Sequence, residues 1–533
     1  MDVVIGLDVG TSGSRAVALD PDGTIRAVAA ADHPSQLTGP GRVEQDPADW
    51  WASAASCLRA ITAVTGPAPA AVGLSGQMDG PVLIGAGGRV LGRCHIWADS
   101  RGTAEAQRIT DLAGPAELIA VTGKPAVPAY TAAKLLWIQA HEPDRLAATE
   151  RVLLPKDYLR WRLTGTPATD PSDAANTLLF DVVRRCWAPE LAAQLGIPAR
   201  LLPDLAESSD VAGRVTAAAA AATGLAPGVP VVTGAGDSIT AAVASGLVPS
   251  GPGLTVLGSS GNVSAVFARP LIDPAGRVHT GCHATPGTWI ATGVQQAAGL
   301  ALGWVRDLLP GGAGTSYQDL TALAAQAPPG SHGLTFLPHL AGTRSPHYDP
   351  LARGAFAGLS ISHTAADLVR SVMEGVVFGQ HDSVAVFAEL GLPLPALISA
   401  GGGARSPLWR TIQANVHAVP VTHHTPAAAG APEPAGAPEA AGVPEPAGVA
   451  KPAGVPAPVA HDSAPPADDS ALGAAIIAAT ATRMFASLEA AAHQVRTAAG
   501  GAATPLAPDP ATAAAYQAAY ARYRQVARQL VTR

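Results

Sequence analysis

The chain has 533 residues, of which 48% are hydrophobic and 4% aromatic, and its formal net charge is −7. This length predicts two large domains rather than one compact core, and the lack of a strongly basic stretch argues against a nucleic-acid-binding surface. The four cysteines form no CxxC pair, so we expect neither a disulfide framework nor a zinc cluster, and a reducing cytoplasm fits.

The N-terminal residues predict no secretory signal, because Asp2 and Asp8 interrupt the only early apolar run and no basic segment precedes it. No uncharged apolar segment reaches the roughly 18 residues that suggest a membrane span. Residues 471–479 form a short apolar run followed by Arg483, and we interpret them as a buried helix. These patterns predict a cytoplasmic protein whose partners include neither a membrane nor a nucleic acid.

The first half opens with a predicted three-stranded meander, with strands at 3–7, 14–19 and 24–28. The first turn contains Gly10-Thr11-Ser12-Gly13, and the second contains Asp20-Pro21-Asp22-Gly23. Hydrophobic periodicity then predicts helices at 47–60, 104–112, 132–139 and 154–163.

A carboxylate flanked by glycines follows, in the turn Gly234-Ala235-Gly236-Asp237-Ser238. An apolar strand at 230–233 precedes this turn, and a helix-like stretch at 239–244 follows it. A carboxylate in this position meets a substrate hydroxyl with little steric obstruction, which makes Asp237 the candidate catalytic base. The alternative is a helix N-cap, a common role for Asp at a strand-to-helix turn.

The second half begins with a similar pattern, in which strands at 254–257 and 262–267 are joined by Gly258-Ser259-Ser260-Gly261. The similarity indicates an internal duplication with a boundary near 246–253, so we expect domains at 1–246 and 247–533. A long helix is predicted at 364–389, and a strand at 396–399 enters the turn at 401–406. This order of strand, glycine turn and helix places N–H groups of a helix terminus beside a bound anion or polar ring.

The turns at 10–13 and 258–261 bracket Asp237 in the sequence. Their glycines permit tight turning and close approach, and their hydroxyl and backbone donors suit a phosphate. Two such cradles with a base between them predict phosphoryl transfer to an alcohol. A plain hairpin turn would use the same residues.

Residues from about 425 to 469 differ from the rest of the chain, because a unit rich in proline, alanine and glycine repeats every six residues. Almost nothing here can bury a core, so we predict a disordered surface insertion, with the fold resuming at Ser470. A left-handed β-helix also has a six-residue period, but it would need large aliphatic residues in one register.

These motifs, in this order, resemble the FGGY family of carbohydrate kinases and, within it, the xylulokinases. The resemblance covers nearly the whole chain outside the repeats and rests on segments at 7–13, 44–51, 73–78, 154–159, 172–175, 354–359, 373–375 and 401–405. It implies an α/β fold of two actin-like, ribonuclease-H-like domains with a catalytic cleft between them. The sugar would lie mainly on the first domain and ATP mainly on the second. Dimers are common in the family, so a homodimer is an expectation by analogy only.

The resemblance also implies roles for individual residues. Asp237 would accept the proton of the attacking hydroxyl. Asp8, with Asp237, would hold Mg²⁺, which takes one or two carboxylates besides phosphate oxygens and water; turn capping is the alternative for Asp8. The residues implied to bind ATP, for several of which a purely structural glycine is the alternative, are Gly10, Thr11, Ser12, Arg15, Gly258, Ser259, Ser260, Gly299, Gly402, Gly403 and Arg405.

The sugar pocket departs from the xylulokinase pattern at three positions, where the family usually has His, Asn and Asn and this chain has Asp79, Ala98 and Ser238. An ionised Asp79 accepts hydroxyl protons but donates none, and the loss of a polar partner changes discrimination between substrates. The alternative is that these three positions have drifted in sequence and that neighbouring residues compensate for the changes. Trp97 would stack on the sugar or line the cleft. The residues expected to contact the sugar are Gln77, Met78, Asp79, Trp97, Asp99 and Ser238.

The expected reaction is transfer of the γ-phosphate of ATP to the terminal hydroxyl of a ketopentose, D-xylulose at O5. The alternative within the same fold is another ketose or a polyol, such as ribulose or an alditol. A third hypothesis is a sugar-responsive regulator or an actin-like assembly ATPase, neither of which needs Asp237 beside the Gln77-Met78 segment.

Overall fold

The computed structural model describes residues 3–249, 251–423, 469–500 and 504–531. Within these ranges, helices flank two large β-sheets, one from each half of the chain. In chain order the α-helices are α1 (Pro47–Thr65), α2 (Thr103–Ala113), α3 (Pro115–Thr122), α4 (Thr131–His141), α5 (Pro143–Ala147), α6 (Pro155–Thr164), α7 (Pro171–Ala174), α8 (Pro189–Gln194), α9 (Ala217–Thr223), α10 (Asp237–Ala244), α11 (Gly299–Leu308), α12 (Tyr317–Ala324), α13 (Ala365–Glu389), α14 (Pro407–His417), α15 (Asp469–Ala481), α16 (Leu488–Ala498) and α17 (Pro510–Val531).

The first sheet begins with the predicted meander. Its order is β5-β6-β4-β1-β2-β3, and β7 also pairs with β4, for the strands β1 (Val4–Val9), β2 (Gly13–Leu19), β3 (Ile25–Asp32), β4 (Ala71–Gly76), β5 (Val211–Arg214), β6 (Pro230–Val232) and β7 (Ala235–Gly236). The first three strands are antiparallel, whereas β4 runs parallel to β1, β6 and β7. The carboxyl ends of β1, β4 and β7 therefore meet at one end of the sheet.

The second sheet has the order β10-β11-β9-β8-β12-β13, for the strands β8 (Gly253–Leu257), β9 (Gly261–Phe267), β10 (His279–Cys282), β11 (Trp289–Gln295), β12 (Leu397–Ala400) and β13 (Val421–His423). Strands β8, β9 and β11 are antiparallel, and β12 and β13 run parallel to β8.

The two sheets share one arrangement. In each, an antiparallel three-stranded meander is extended, beside its first strand, by two parallel strands. This is the arrangement of actin-like, ribonuclease-H-like domains and confirms the predicted fold class. The sequence did not predict β11 as the third strand of the second meander, because β10 and its loops separate it from β9 along the chain.

Shorter elements connect the large ones. The small sheets are Gln36–Gly39 with Arg42–Gln45 and Cys94–His95, Val82–Gly85 with Thr149–Leu153, Ala168–Thr169 with Asp204–Leu205, Phe180–Asp181 with Cys186–Trp187, and Thr335–Leu337 with Ala355–Ala357. The 3₁₀ turns are Ala86–Gly88, Ala199–Leu201, Gly312–Gly314, Ser331–Gly333 and Gly402–Arg405.

Local capping signals explain where helices begin. The Asp46 side chain accepts a hydrogen bond from Ala48 N, and Pro47 takes the first position of α1. Thr364 and Asp367 form a capping box that starts α13. The predicted helices at 47–60, 104–112, 132–139, 154–163 and 364–389 are confirmed; the largest difference is at α1, which continues to residue 65.

Two helices lie between the sheets. Both α10 and α15 belong to one buried cluster that also contains Val4 and Ala71 of the first sheet and Leu254 and Ile398 of the second. Helices α1, α6 and α9 cover the outer face of the first sheet. Helices α13 and α14 pack on the outer face of the second sheet, and α11, α12 and α17 pack on these two helices. The molecule therefore has five layers, with helices in the central one.

Helix α15 approaches the first sheet closely through glycines. A Cβ at Gly6 would lie 1.9 Å from the main-chain oxygen of Ala471, and a Cβ at Gly73 on β4 would lie 2.0 Å from that of Ala474. On another side of α15, a Cβ at Gly473 would lie 1.9 Å from the main-chain oxygen of Thr240 on α10. Every residue from 471 to 479 is buried, which confirms the predicted buried helix. This segment, distant along the chain, thus completes the packing of the first sheet.

The predicted insertion at about 425–469 lies outside the described residues, except for Asp469 at the start of α15. In the part of the chain that the structure describes, no helix is both long enough and apolar enough to cross a membrane.

Candidate active site

Asp8 and Asp237 lie at the same end of the first sheet. Asp8 is paired with Ser75 on β4, which is paired in turn with Ala235, two residues before Asp237. The Ser75 hydroxyl donates to Asp8 Oδ1 at 2.6 Å and lies 2.8 Å from the Thr240 hydroxyl. The Thr240 hydroxyl also lies 2.9 Å from the main-chain oxygen of Asp237, and it donates its single hydrogen either to this oxygen or to the Ser75 hydroxyl. A short chain of hydroxyls therefore links the two residues that carry the carboxylates.

Asp237 is the first residue of α10. The N-cap position belongs to Gly236, so Asp237 does not occupy the N-cap that the alternative interpretation assigned to it. Its Oδ1 accepts a hydrogen bond from Ser238 N at 2.6 Å, and the residue is partly exposed. A carboxylate in the first turn of a helix is also favoured by the helix dipole. Asp237 thus combines a fixed orientation with access to a ligand.

The turn between β1 and β2 is held by side chains from elsewhere in the first half. Gly10 O accepts a hydrogen bond from Gln77 Nε2 at 3.3 Å and lies 3.0 Å from His33 Nε2. Thr11 O accepts one from Gln45 Nε2 at 2.6 Å. These contacts fix the predicted first cradle directly beyond Asp8 on the same strand.

The second predicted cradle lies against the start of α11. Ser259 O accepts a hydrogen bond from Ala298 N at 2.9 Å, and Gly258 O accepts one from Gly299 N at 2.8 Å. A Cβ at Gly299 would lie 2.6 Å from Gly258 O, so this close approach requires glycine. Ser259 and Ser260 are exposed. The structure therefore brings together the predicted cradle and Gly299, which lies about 40 residues further along the chain.

The glycine turn after β12 packs on the same strand end. Gly401 has a φ of +83°, and a Cβ there would lie 2.8 Å from Leu257 O. A Cβ at Gly403 would lie 2.7 Å from the Leu257 side chain, whereas one at Gly402 would have no described neighbour within 4 Å. Arg405 is exposed. The residues predicted to bind ATP in the second half therefore form one surface at the end of β8.

The predicted sugar-binding segment follows β4 and lies beside α10. Met78 Sδ accepts a hydrogen bond from the Ser238 hydroxyl at 3.3 Å and another from Asn176 Nδ2 at 3.5 Å. Gln77 Oε1 is buried and has no hydrogen-bond partner among the described residues. This segment thus lies next to the turn that carries Asp237.

Asp79 is buried in an unusual backbone conformation, with a φ of +72°. Its main-chain oxygen accepts hydrogen bonds from Lys134 Nζ and the Thr131 hydroxyl, both at 3.1 Å. The carboxylate accepts none from the described residues. Burial raises the pKa of Asp79 to about 6, and the positive charges of Lys134, Lys124 and Arg344 oppose this rise.

Lys124 supplies a buried cation to the same region. Its Nζ donates to Asn176 Oδ1 and lies 5.4 Å from the centre of the Tyr130 ring. Burial lowers the pKa of Lys124 to about 8, and the negative charge of Asp79 opposes this fall. A carboxylate and an ammonium group with unused hydrogen-bonding capacity suit a ligand that carries several hydroxyls.

Two residues predicted to contact the sugar have other partners. Asp99 is buried, and its carboxylate accepts hydrogen bonds from the Arg101 side chain and, at 2.7 Å, from Val43 N. These bonds use both oxygens and leave little capacity for a sugar hydroxyl. Trp97 is 48% exposed and donates from Nε1 to the Thr11 hydroxyl at 2.8 Å, beside the first turn.

Arg15, predicted to contribute positive charge to the first cradle, is engaged by neighbouring strands. Its guanidinium donates to Ser14 O at 2.9 Å and to Asp32 Oδ1 at 3.2 Å. The Asp32 side chain is 84% exposed, so this ion pair is weak and a phosphate would compete for the guanidinium.

Comparisons with known proteins identify the family. The family model for the N-terminal domain of the FGGY family of carbohydrate kinases matches residues 3–244, and that for the C-terminal domain matches residues 253–432. The xylulose kinase of Escherichia coli (strain K12) is 34% identical over 422 residues, which cover 79% of this chain and 86% of that protein. This chain belongs to the FGGY family of carbohydrate kinases.

The FGGY kinase fold is also found in similar solved structures. The xylulose kinase from Rhodospirillum rubrum superimposes with a TM-score of 0.86 over 100% of both chains, at 29% identity. The glycerol kinase of Trichlorobacter lovleyi is 32% identical over 435 residues, covering 79% of this chain and 86% of that protein. The protein is therefore a carbohydrate kinase, and its family implies ATP as the phosphoryl donor.

Sequence reasoning missed several polar residues around the active site of this FGGY kinase: Ser75, Lys124, Lys134, Asn176 and Thr240. Only for Lys134 does the sequence contain a pattern that indicates a buried polar role. Lys134 is the single charged residue between 131 and 138, a run in which every residue is buried. A lone charge inside such a helix indicates a buried polar contact, whereas the others lie in local sequences that give no such contrast.

Proposed function

We propose that this FGGY kinase transfers the γ-phosphate of ATP to the terminal hydroxyl of D-xylulose, forming D-xylulose 5-phosphate. The observation that carries the proposal is the position of Asp237 beside Met78 and at the sheet end that also holds Asp8. The similarity to xylulose kinases along most of their length supports the choice of sugar. The sugar would contact mainly residues 1–246, and ATP mainly residues 247–533.

Asp237 is the proposed base. Its carboxylate would accept the proton of the sugar hydroxyl as the new O–P bond forms and the bond to ADP breaks. The hydrogen bond from Ser238 N orients Oδ1 before the substrate arrives. An oriented carboxylate helps to hold the bound sugar hydroxyl in a productive geometry. Such positioning, together with electrostatic stabilisation, supplies most of the rate enhancement of phosphoryl transfer.

Asp8 and Asp237 are the proposed Mg²⁺ ligands. Both present carboxylate oxygens at one end of the first sheet, and Mg²⁺ prefers oxygen donors, of which only one or two need come from the protein. The Ser75 hydroxyl orients Asp8 from the protein side. When bound with ATP, Mg²⁺ would neutralise charge on the phosphates and help to align them.

The surface at the end of β8 is the proposed nucleotide site. The turn at Gly258–Ser260 offers the exposed hydroxyls of Ser259 and Ser260, which suit phosphate oxygens, and the first N–H groups of α11 hold the turn in place by donating to its main-chain oxygens. A Cβ at Gly402 would have no neighbour within 4 Å among the described residues, which leaves room for the adenosine part beside this glycine. Closure of the two halves would then exclude water and limit ATP hydrolysis.

A second candidate is a different ketose or polyol. It is favoured by Asp79, which stands where xylulokinases usually have His and whose buried Oδ1 has no hydrogen-bond partner among the described residues, and by the similarity to a glycerol kinase. A carboxylate and an imidazole present different donors and acceptors to a sugar, so this site has the capacity to select a different hydroxyl pattern.

A coupled assay of ADP release by the purified protein separates the two candidates. D-xylulose, ribulose, hexuloses and alditols would each be compared by kcat/KM. We expect the highest value for D-xylulose, with phosphate on O5 by NMR. A clear preference for ribulose or an alditol would replace the proposed substrate and leave the kinase activity intact.

A further inference from the structure

A fully buried cluster of charges lies behind the turn that carries Asp237. Lys156 Nζ lies 2.7 Å from Asp157 Oδ1, 2.9 Å from Asp170 Oδ1 and 3.0 Å from Asp173 Oδ2. Arg160 NH2 contacts Asp157 Oδ1 at 3.0 Å. All five side chains have no exposed surface.

This cluster reaches the turn through three hydrogen bonds. Arg160 NH1 donates to the main-chain oxygen of Thr233 at 2.9 Å, at the start of the turn. Gly236 N, next to Asp237, donates to the Ser172 hydroxyl at 3.2 Å. Gly234 N donates to the main-chain oxygen of Ser208 at 2.9 Å.

One aspartate of the cluster fixes both serines. Asp170 Oδ2 accepts a hydrogen bond from Ser172 N at 2.9 Å and another from the Ser208 hydroxyl at 2.8 Å. Its other oxygen faces Lys156. The backbone of the turn is therefore connected to Lys156 by way of Asp170, and a change at Lys156 would reach the residue beside Asp237.

The turn has little freedom to move on its other side. A Cβ at Gly234 would lie 2.0 Å from Leu74 O on β4, so the turn is in tight contact with that strand. A Cβ at Gly76 on the same strand would lie 3.1 Å from Lys156 Cβ. The cluster and β4 thus enclose the turn between them.

Filling this part of the core with charged side chains is costly in free energy. Burying ions costs several kcal/mol each, and well-packed apolar residues are often at least as stabilising. Burial, with repulsion from Asp157 and Asp170, raises the pKa of Asp173 well above its usual range despite the opposing Lys156. Two cations therefore share this buried cluster with three carboxyl groups. Its geometry therefore suits positioning better than stability.

We propose that Ser172, held by Asp170 and through it by Lys156, is a positioning residue that keeps the Asp237 turn in the geometry required for phosphoryl transfer. The proposal rests on the proposed function, because it takes Asp237 as the base. None of these three residues needs to touch the sugar or ATP. Their effect is on where the Asp237 carboxylate stands.

The test uses Ser172→Ala in the full-length protein, because removing Lys156 would leave the buried carboxyl groups of Asp170 and Asp173 without their cation and risk unfolding. We expect kcat to fall about ten- to a hundredfold, as displacement of a reacting group by about 1 Å does, with the KM values for sugar and ATP unchanged within about threefold. Ser172→Thr keeps the hydroxyl and should restore kcat. Ser371→Ala is the matched control, since its buried hydroxyl donates to Leu368 O, far along the chain from this turn.

Hydrogen exchange of the ligand-free protein gives a readout that does not depend on the sugar. A peptide spanning residues 233–238 should exchange faster in Ser172→Ala than in wild type or Ser371→Ala. Unchanged exchange, or a kcat equal to that of the control at equal folded fraction, would overturn the proposal. If Asp237→Asn keeps full activity, the proposed base is wrong, whereas the exchange result still decides whether the cluster holds the turn.

Discussion

The backbone conformation and the burial of Asp79 restrict which side chains this position accepts. Its positive φ is better tolerated by Asp and Asn than by branched residues, so the backbone favours a short polar side chain here. Its carboxylate is buried without a hydrogen bond from the described residues, and an uncompensated polar group of this kind is costly. A bound hydroxyl would remove this cost, which ties the local structure to ligand binding.

The pH dependence of stability tests the state of Asp79. Its pKa is raised to about 6 from 3.8, mainly by burial. The folded protein keeps the proton to a higher pH than the unfolded chain does, so the added stability is fully present below about pH 4 and is lost as pH rises through about 6. Asp79→Asn does not titrate, so its stability lacks this pH dependence. The difference between the Tm of Asp79→Asn and the Tm of wild type should therefore become more positive as pH rises across this window. Parallel Tm profiles in thermal denaturation would contradict the assignment.

Asp237→Asn tests the proposed base. The amide keeps the size and the acceptor for Ser238 N but cannot take up a proton, so kcat should fall by about 10² to 10⁴-fold. Sugar binding, measured by calorimetry, should be retained. Asp111→Asn, at an exposed position of α2, serves as the control and should leave kcat unchanged. A variant with wild-type turnover would exclude Asp237 as the base.

The sequence predicted which residues end up at strand ends, and Asp8, Asp237 and the glycine turns are where that reasoning placed them. The sequence could not predict which hydrogen-bond and ion-pair partners the side chains would have. Asp99 is engaged by Arg101 and Arg15 by Asp32, contacts that depend on local geometry rather than on residue type. The buried lysines around Asp79 come from helices and loops far along the chain, and no spacing rule connects them.

At the scale of elements, close contacts between small residues hold α10 and α15 together. The pattern of apolar residues predicted both helices, because each is dominated by alanine and aliphatic side chains. It did not predict that α15 packs on the first sheet. That contact depends on Gly6 and Gly73, which remove the side chains that would otherwise keep the helix away.

Gly473→Ala tests this packing. The new Cβ would lie 1.9 Å from Thr240 O, and backbone atoms at this distance cannot move aside without shifting a helix. We expect the free energy of unfolding to fall by at least about 1–3 kcal/mol, the usual cost of overpacking. Gly314→Ala, with no described neighbour within 4 Å of its Cβ, is the control in the same denaturant titration. Equal losses in both variants would contradict the packing argument.

At the scale of the whole molecule, the two sheets share the central helical layer, so neither half is independent of α15. Length and the repeated meander predicted two similar halves, and the two sheets do share one arrangement. The assignment of everything after residue 246 to a second domain remains a prediction. It was based on chain order, which does not reveal that a late segment packs on an early sheet.

A fragment ending at residue 423 tests this dependence. Without α15, one apolar face of the first sheet would be exposed, so the fragment should bind a hydrophobic dye and unfold without a cooperative transition. Co-expression with a second fragment that begins at residue 469 should restore a stable complex. Cooperative unfolding of the first fragment alone at the wild-type Tm would contradict this expectation.

The late position of α15 has a consequence for biosynthesis. Some 245 residues separate the end of the first sheet from the end of α15, and ribosomes add roughly 5–20 residues per second, so about 10–50 s pass between synthesis of the sheet and synthesis of the helix that covers it. Throughout that interval an apolar surface of the sheet is exposed to solvent. A chaperone that binds emerging chains would find its binding surface on this apolar face of the sheet. Each residue of the repeat segment lengthens the interval before α15 is synthesised.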